Sequence, residues 1–297
     1  MSYLPLQSFI APARDTCQIW RTVAGIALTF TIYSMGLSTF APLLREVTAT
    51  GSDVGTTLLE QSDVAPAATL VILYSFGLLT LGSAATVIIL HKRSALSLLG
   101  DPTHMARQFW RAVKAMLVLN VTLILLPPYG GSGSVEIVEN LAPKTWALLF
   151  PLSLLGLLVQ TSAEEIFFRG YLLQQLAARF SSPLVWMGAP TLVFALGHFD
   201  PANGVHAWSI VIWAGLFSLA ATDLVARTGN LGAAIGLHFV NNAFAMLVVS
   251  YPGNMSGLSL FVFTEGPADF GPTSVEILLE YAMMGVSWLA IRLAVRR

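Results

Sequence analysis

The chain has 297 residues, of which 55% are hydrophobic and 10% charged, with a formal net charge of -1 at pH 7 and a mean hydropathy of +0.72. A soluble globular domain carries about 25% charged residues, so this composition excludes an ordinary water-soluble fold, and the near-neutral charge leaves no basic surface for nucleic acid. One cysteine, Cys17, can form neither an intramolecular disulfide nor a thiolate metal site alone.

The segment before Thr22 carries Pro5, Arg14, Asp15 and Arg21 without a compact apolar run, so no cleaved signal peptide is expected and the first span stays as an anchor. Apolar segments then follow at Thr22 to Leu44, Val64 to Leu90, Phe109 to Leu126, Thr145 to Ala163, Pro183 to His198, Ala207 to Thr222, Leu231 to Tyr251 and Ile277 to Ile291. A helix needs about 20 apolar residues to cross the hydrocarbon core. The first two segments meet that length outright; several others are shorter or contain charges, such as Arg111, Lys114 and Glu280. The expected fold is all-α, a polytopic membrane helix bundle of about eight transmembrane helices in one membrane domain, 1–297. Gly130 to Ser134 and Pro252 to Gly257 read as loops from their glycine, serine and proline content.

Lysine and arginine accumulate in cytoplasmic loops. With the N-terminus placed inside, only Arg45 and Lys144 of the 15 basic residues fall outside. Both termini are therefore expected in the cytoplasm, with the protein in the cell's inner membrane.

Ionisable side chains inside membrane segments are costly and mark protein interiors or water-filled cavities. The densest cluster is Glu164-Glu165 with Arg169, continuing the apolar run that ends at Ala163. Adjacent helical residues diverge by about 100°, so the two glutamates take different roles. Glu165 and Arg169 stand at i and i+4 and suit an ion pair, which leaves Glu164 facing the interior as a general base. An ordinary helix-end salt bridge is the plainer alternative. His198 closes the fifth segment one turn after Phe194; alone it reads as an interfacial or capping residue. His238 and Asn242 lie one turn apart within the seventh segment and suit either helix-to-helix hydrogen bonds or oxyanion donation. Asn241 points about 100° away from Asn242 and reads as structural, as do His206 and Asp223 beside the sixth span.

Glu164-Glu165-x-x-x-Arg169, Phe194-x-x-x-His198 and His238-x-x-x-Asn242 resemble, in order, the three motifs of the CPBP intramembrane proteases, a family that includes the type II CAAX prenyl endopeptidases and bacteriocin-processing proteins. Phe168-Arg169-Gly170-Tyr171 extends the resemblance, which spans about 145 to 251 as a catalytic core; 1–144 and 252–297 are accessory transmembrane helices. The resemblance implies hydrolysis of a peptide bond in a hydrophobic or lipidated peptide or protein. Glu164 would act as base assisted by His198, His238 and Asn242 as oxyanion donors, and Arg169 would orient Glu165. No cofactor is expected. Zinc is the alternative, because two histidines and two glutamates could ligate it, but there is no His-Glu-x-x-His pair and Asn242 suits hydrogen bonding better than zinc.

Eight simple spans put Glu164 near the cytoplasmic end of its helix and His198 near the opposite end of the next. Contact then requires an acidic pair lying deeper, on a helix running through Leu157 to Leu176, or a fifth segment that enters differently. Two other protease chemistries fit worse: Gly130-Gly131-Ser132-Gly133 matches a rhomboid-type nucleophile motif but sits in a loop, and no aspartate dyad is present. The rival of a different class is a transporter or a catalytically silent scaffold that binds a peptide in the same polar cavity.

Overall fold

The computed structural model describes residues 3–48, 65–126, 136–252, 255–266 and 274–296. The chain forms the expected all-α polytopic bundle and is an integral multi-pass membrane protein. A short N-terminal helix α1 (Leu4–Ile10) precedes α2 (Ile19–Thr48), α3 (Pro66–Ile89), α4 (Pro102–Leu125), α5 (Pro143–Arg179), α6 (Pro183–Leu196), α7 (Ala207–Thr228), α8 (Gly232–Val248) and α9 (Ser274–Ala294). Six of these are long and apolar enough to cross a membrane. The two shorter apolar helices are α6 and α8, which carry Phe194 and His238. The glycine-rich string Gly130 to Gly133 lies outside the described residues.

Local sequence explains where the helices begin. Pro66, Pro102, Pro143 and Pro183 each stand in a first turn, where a fixed φ and a missing N–H cost nothing. The Asp101 carboxylate accepts the His104 backbone N–H at 2.8 Å and caps α4.

Helix α5 positions the site. It does not stop at its glutamates: the 37 residues from Pro143 to Arg179 form one apolar helix, of which Ile166–Leu173 adopts the wider π-helical turn. Such stretches occur often at functional sites. Arg169, counted above among the loop cations, is therefore a fully buried helical residue and drops out of the topology count. Beyond it, the buried Tyr171 hydroxyl lies 3.1 Å from His91 Nε2 and 3.3 Å from the Thr22 carbonyl. His91 Nδ1 meets the Thr16 carbonyl at 3.0 Å, and burial pushes its pKa down to about 4, so at neutral pH the uncharged ring donates to Thr16 and accepts from Tyr171. These bonds fix α5 against the entry to α2.

Helix α8 packs against α4 through small residues. A Cβ at Gly232 would overlap the Met105 carbonyl, and one at Gly236 would lie 2.7 Å from Ala112 Cβ and 2.9 Å from the Phe109 carbonyl. Close backbone approach of this kind is how membrane helices gain van der Waals contact without a hydrophobic driving force. Because His238 lies six residues further along the same helix, Gly232→Val should displace it as well as strain the seam. We expect a loss of roughly 1–3 kcal/mol, read as a lower unfolding temperature in detergent.

The only strands among the described residues form a three-stranded ribbon in the order β1-β3-β2. β1 (Ile137–Glu139) runs antiparallel to β3 (Phe261–Phe263) with Val138 opposite Val262, and β2 (Val249–Ser250) runs parallel to β3 with Val249 opposite Phe261. It ties the approach to α5 to the exit from α8, an attachment reinforced by Trp146 Nε1, which donates to the Leu247 carbonyl at 2.8 Å. On the far side, Asp223 accepts from Tyr3 (2.7 Å), Arg227 (2.7 Å) and Trp288 (2.9 Å), joining α1, α7 and α9.

Candidate active site

The continued α5 helix carries the chain 14 residues beyond Glu165, from Ile166 to Arg179. Fifteen residues separate Glu164 from Arg179, and fifteen separate Pro183 from His198. The equal counts place both residues at similar distances along the chain from the turn joining α5 to α6. Of the two arrangements open at the level of sequence, the structure contains the continued helix, which runs unbroken through Leu157 and Leu176.

Glu165 and Arg169 face the interior with no exposed side-chain surface and pair at 3.0 Å through Oε1 and Nη1. Arg169 Nη2 also donates to the Ser218 Oγ (2.8 Å) and carbonyl (3.3 Å) of α7, and Ser218 Oγ donates to Thr191 on α6 at 3.2 Å. Its guanidinium carbon lies 4.9 Å from the Phe194 ring centroid, 5.8 Å from Phe168 and 6.0 Å from Phe217. The cation is thus held by a counter-charge, by hydroxyl and carbonyl acceptors, and by aromatic faces.

The same Glu165 oxygen receives His238 Nδ1 at 2.9 Å. A carboxylate paired with arginine can only accept, so Nδ1 carries the proton and Nε2 is the nitrogen turned to chemistry. That Nε2 lies 3.7 Å from Glu164 Oε2. The imidazole is gripped edge-to-face by Phe217, centroids 4.7 Å apart. Glu164 keeps 16% of its side chain exposed, against none for Glu165; the sequence spacing sets Glu164 toward the interior, but Glu165 is the more deeply buried of the two because its pair with Arg169 lies inside the bundle.

Glu164 has a second partner that motif spacing did not single out. Gln160, one turn earlier, donates Nε2 to Glu164 Oε1 at 2.9 Å and accepts Asn242 Nδ2 on Oε1 at 3.0 Å. Asn242 Oδ1 in turn accepts from Asn241 at 3.3 Å. The available signal was a buried amide four residues before a glutamate in an otherwise apolar run. Ser218 and Thr191 gave none, because helical hydroxyls in membranes ordinarily return their hydrogen bonds to their own backbone.

His198 joins this set less directly. It is exposed, its Nδ1 meets the Phe194 carbonyl at 2.8 Å, and no hydrogen bond or ion pair links it to Glu164. Phe194 is the intermediary, its ring 4.6 Å from the His198 ring and 6.3 Å from that of His238. A carbonyl partner fixes the proton on Nδ1 here too and leaves Nε2 free. Two hydrogen-bonded groups, Asn242–Gln160–Glu164 and His238–Glu165–Arg169, therefore face each other across the 3.7 Å contact of Glu164 with His238, and His198 is attached through Phe194.

The three motifs and their mutual contacts fall inside one matched segment. Residues 145–244 match the Rce1-like family, described as type II CAAX prenyl endopeptidase Rce1-like. This Rce1-like segment contains all seven of the motif residues. The chain is also 32% identical over 136 residues to the uncharacterized protein YyaK of Bacillus subtilis (strain 168), an alignment covering 43% of each chain. The match thus spans less than half of that relative. No solved structure matches the chain.

Proposed function

We propose that this protein is an intramembrane endopeptidase that hydrolyses a peptide bond in a hydrophobic or lipidated substrate, with residues 145–251 as its catalytic core and the flanking helices as accessories. The observation that carries this reading is the polar series Asn242–Gln160–Glu164 and His238–Glu165–Arg169, the two halves 3.7 Å apart between Glu164 and His238, inside an apolar bundle. Desolvating so many polar groups is costly, and the arrangement leaves the partly exposed Glu164 carboxylate, His238 Nε2 and one Asn242 amide hydrogen available for reaction. Both termini belong on the cytoplasmic side of the inner membrane in this reading, from the distribution of lysine and arginine.

In the mechanism we propose, water attacks the substrate carbonyl as Glu164 takes its proton, with His198 Nε2 as a second acceptor on the water's far side. The C–O bond forms and the carbonyl electron pair moves onto oxygen. Asn242 Nδ2 and His238 donate to that oxyanion. With Nδ1–H committed to Glu165, His238 donates from Nε2 only as the imidazolium, a form that brings two glutamates, one arginine and one imidazole to charge balance. Collapse breaks the C–N bond, and Glu164 returns its proton to the leaving amine.

Catalytic zinc takes three protein ligands and leaves one position open. Among the described residues no three His, Cys, Asp or Glu side chains are arranged to hold a metal ion, and the Glu165 oxygen nearest His238 is committed to two donors. The test is incubation of the purified protein in liposomes with a peptide ending in a prenylated cysteine and three further residues, followed by mass spectrometry. We expect cleavage at an unchanged rate after chelation. Reversible loss on chelation, with stoichiometric zinc in the protein, reverses the assignment of a metal-free centre; a peptide that binds and is recovered intact favours a transporter or scaffold.

A further inference from the structure

We propose that Gln160 is a positioning residue that locks both Glu164 and Asn242 in their working orientations through one amide. The argument rests on direction. An amide offers a donor at one end and an acceptor at the other, and Gln160 uses both, its Nε2 on Glu164 Oε1 (2.9 Å) and its Oε1 under Asn242 Nδ2 (3.0 Å). Asn241 donates to Asn242 Oδ1 (3.3 Å), so three amides point their donors the same way and end on a carboxylate.

That polarity has two consequences. A carboxylate at the end of the series must accept on Oε1, so its Oε2, 3.7 Å from His238 Nε2, is the oxygen left to take a proton. At the other end, Gln160 Oε1 selects the amide of Asn242 over its carbonyl. Nδ2 has two hydrogens, and using one on Gln160 directs the second outward as a donor. A 180° flip of Asn242 would set its carbonyl against Gln160 Oε1, two acceptors in contact with no proton between them. Gln160 has 7% of its surface exposed, so water does not readily substitute for the missing partner. The residue acts on both the base and the oxyanion donor without itself reaching the reacting atoms.

The kinetic arm of the test rests on the protease reading; a second arm does not. For the first, Gln160→Met is compared with wild type on the prenylated peptide. We expect kcat to fall roughly 10- to 100-fold, the size of a hydrogen bond to a charged group, with KM within about twofold because substrate binding surfaces are intact. For the second, the protein in liposomes at pH 7 is treated with dicyclohexylcarbodiimide, which modifies carboxyl groups in their protonated form, and Glu164 labelling is read by mass spectrometry. Losing a donor to the ionised carboxylate should raise labelling at least about threefold in Gln160→Met, and further in Gln160→Glu, which still accepts from Asn242 but sets a second carboxyl beside Glu164. If Gln160→Met does not fold, Gln160→Glu carries both arms. Wild-type labelling overturns the proposal, as does raised labelling with unchanged kcat, or an equal rise in KM and fall in kcat that marks a general structural loss. A wild-type protein that cleaves nothing removes the protease reading while the labelling arm still decides the contact.

Discussion

Glu164→Gln is expected to abolish peptide cleavage, lowering kcat by at least 10²–10⁴-fold, while the protein unfolds in detergent within about two degrees of wild type. Glutamine preserves the shape and the acceptor that Gln160 addresses at 2.9 Å, so the packing around Leu157 and Thr161, both fully buried, is unaltered. What disappears is the oxygen able to take a proton from water. The substitution also removes one negative charge beside His238 but leaves the arginine of the cluster paired with Glu165. Chemistry and folding therefore separate at this position. A stable Glu164→Gln protein that still turns over, or one that loses its fold, sinks the assignment of Glu164 as base.

Much of this centre is legible in the sequence because charge is conspicuous in an apolar chain. Glu164, Glu165, Arg169 and His238 stand out as residues that lipid should reject, and their spacing assigns the pairing of Glu165 with Arg169 that the structure contains. Their depth is not legible. Hydropathy penalises each charge separately, so the fourth span appears to end at Ala163; in the fold Glu165 and Arg169 compensate each other at 3.0 Å with no exposed surface, and the helix runs on to Arg179. Pairing changes what the membrane interior tolerates. Gln160 escapes for the opposite reason, since an uncharged amide breaks an apolar run only mildly and shows its use only when Asn242, 82 positions away, is seen across from it. The ribbon of Ile137–Glu139, Val249–Ser250 and Phe261–Phe263 is likewise invisible along the chain. Strands of two or three residues have no measurable period, and these exist because long-range closure brings them together.

Glu165→Gln should behave unlike its neighbour: unstable as well as inactive. It leaves the Arg169 guanidinium buried among Phe168, Phe194 and Phe217 without its paired carboxylate, a loss of about 3–5 kcal/mol when one partner of a buried pair is removed, seen as an unfolding temperature lowered by on the order of ten degrees. The decisive comparison is the double variant Glu165→Gln with Arg169→Met. Removing both charges takes away the stranded cation, and replacing a buried pair by neutral groups is often tolerated, so most of the lost stability should return. Activity should not. His238 Nδ1 lies 2.9 Å from Glu165 Oε1, and a neutral amide there binds either ring tautomer, freeing the imidazole to present the wrong nitrogen and removing the charge that balances its protonated form. Unfolding temperature and cleavage rate measured on the same preparations separate the two roles. A double variant as unstable as the single one shows that the buried charge is not the cause, whereas one that recovers both stability and turnover reduces Glu165 to a counter-ion for Arg169 and leaves the orientation of His238 to Phe217, edge-to-face with it at 4.7 Å.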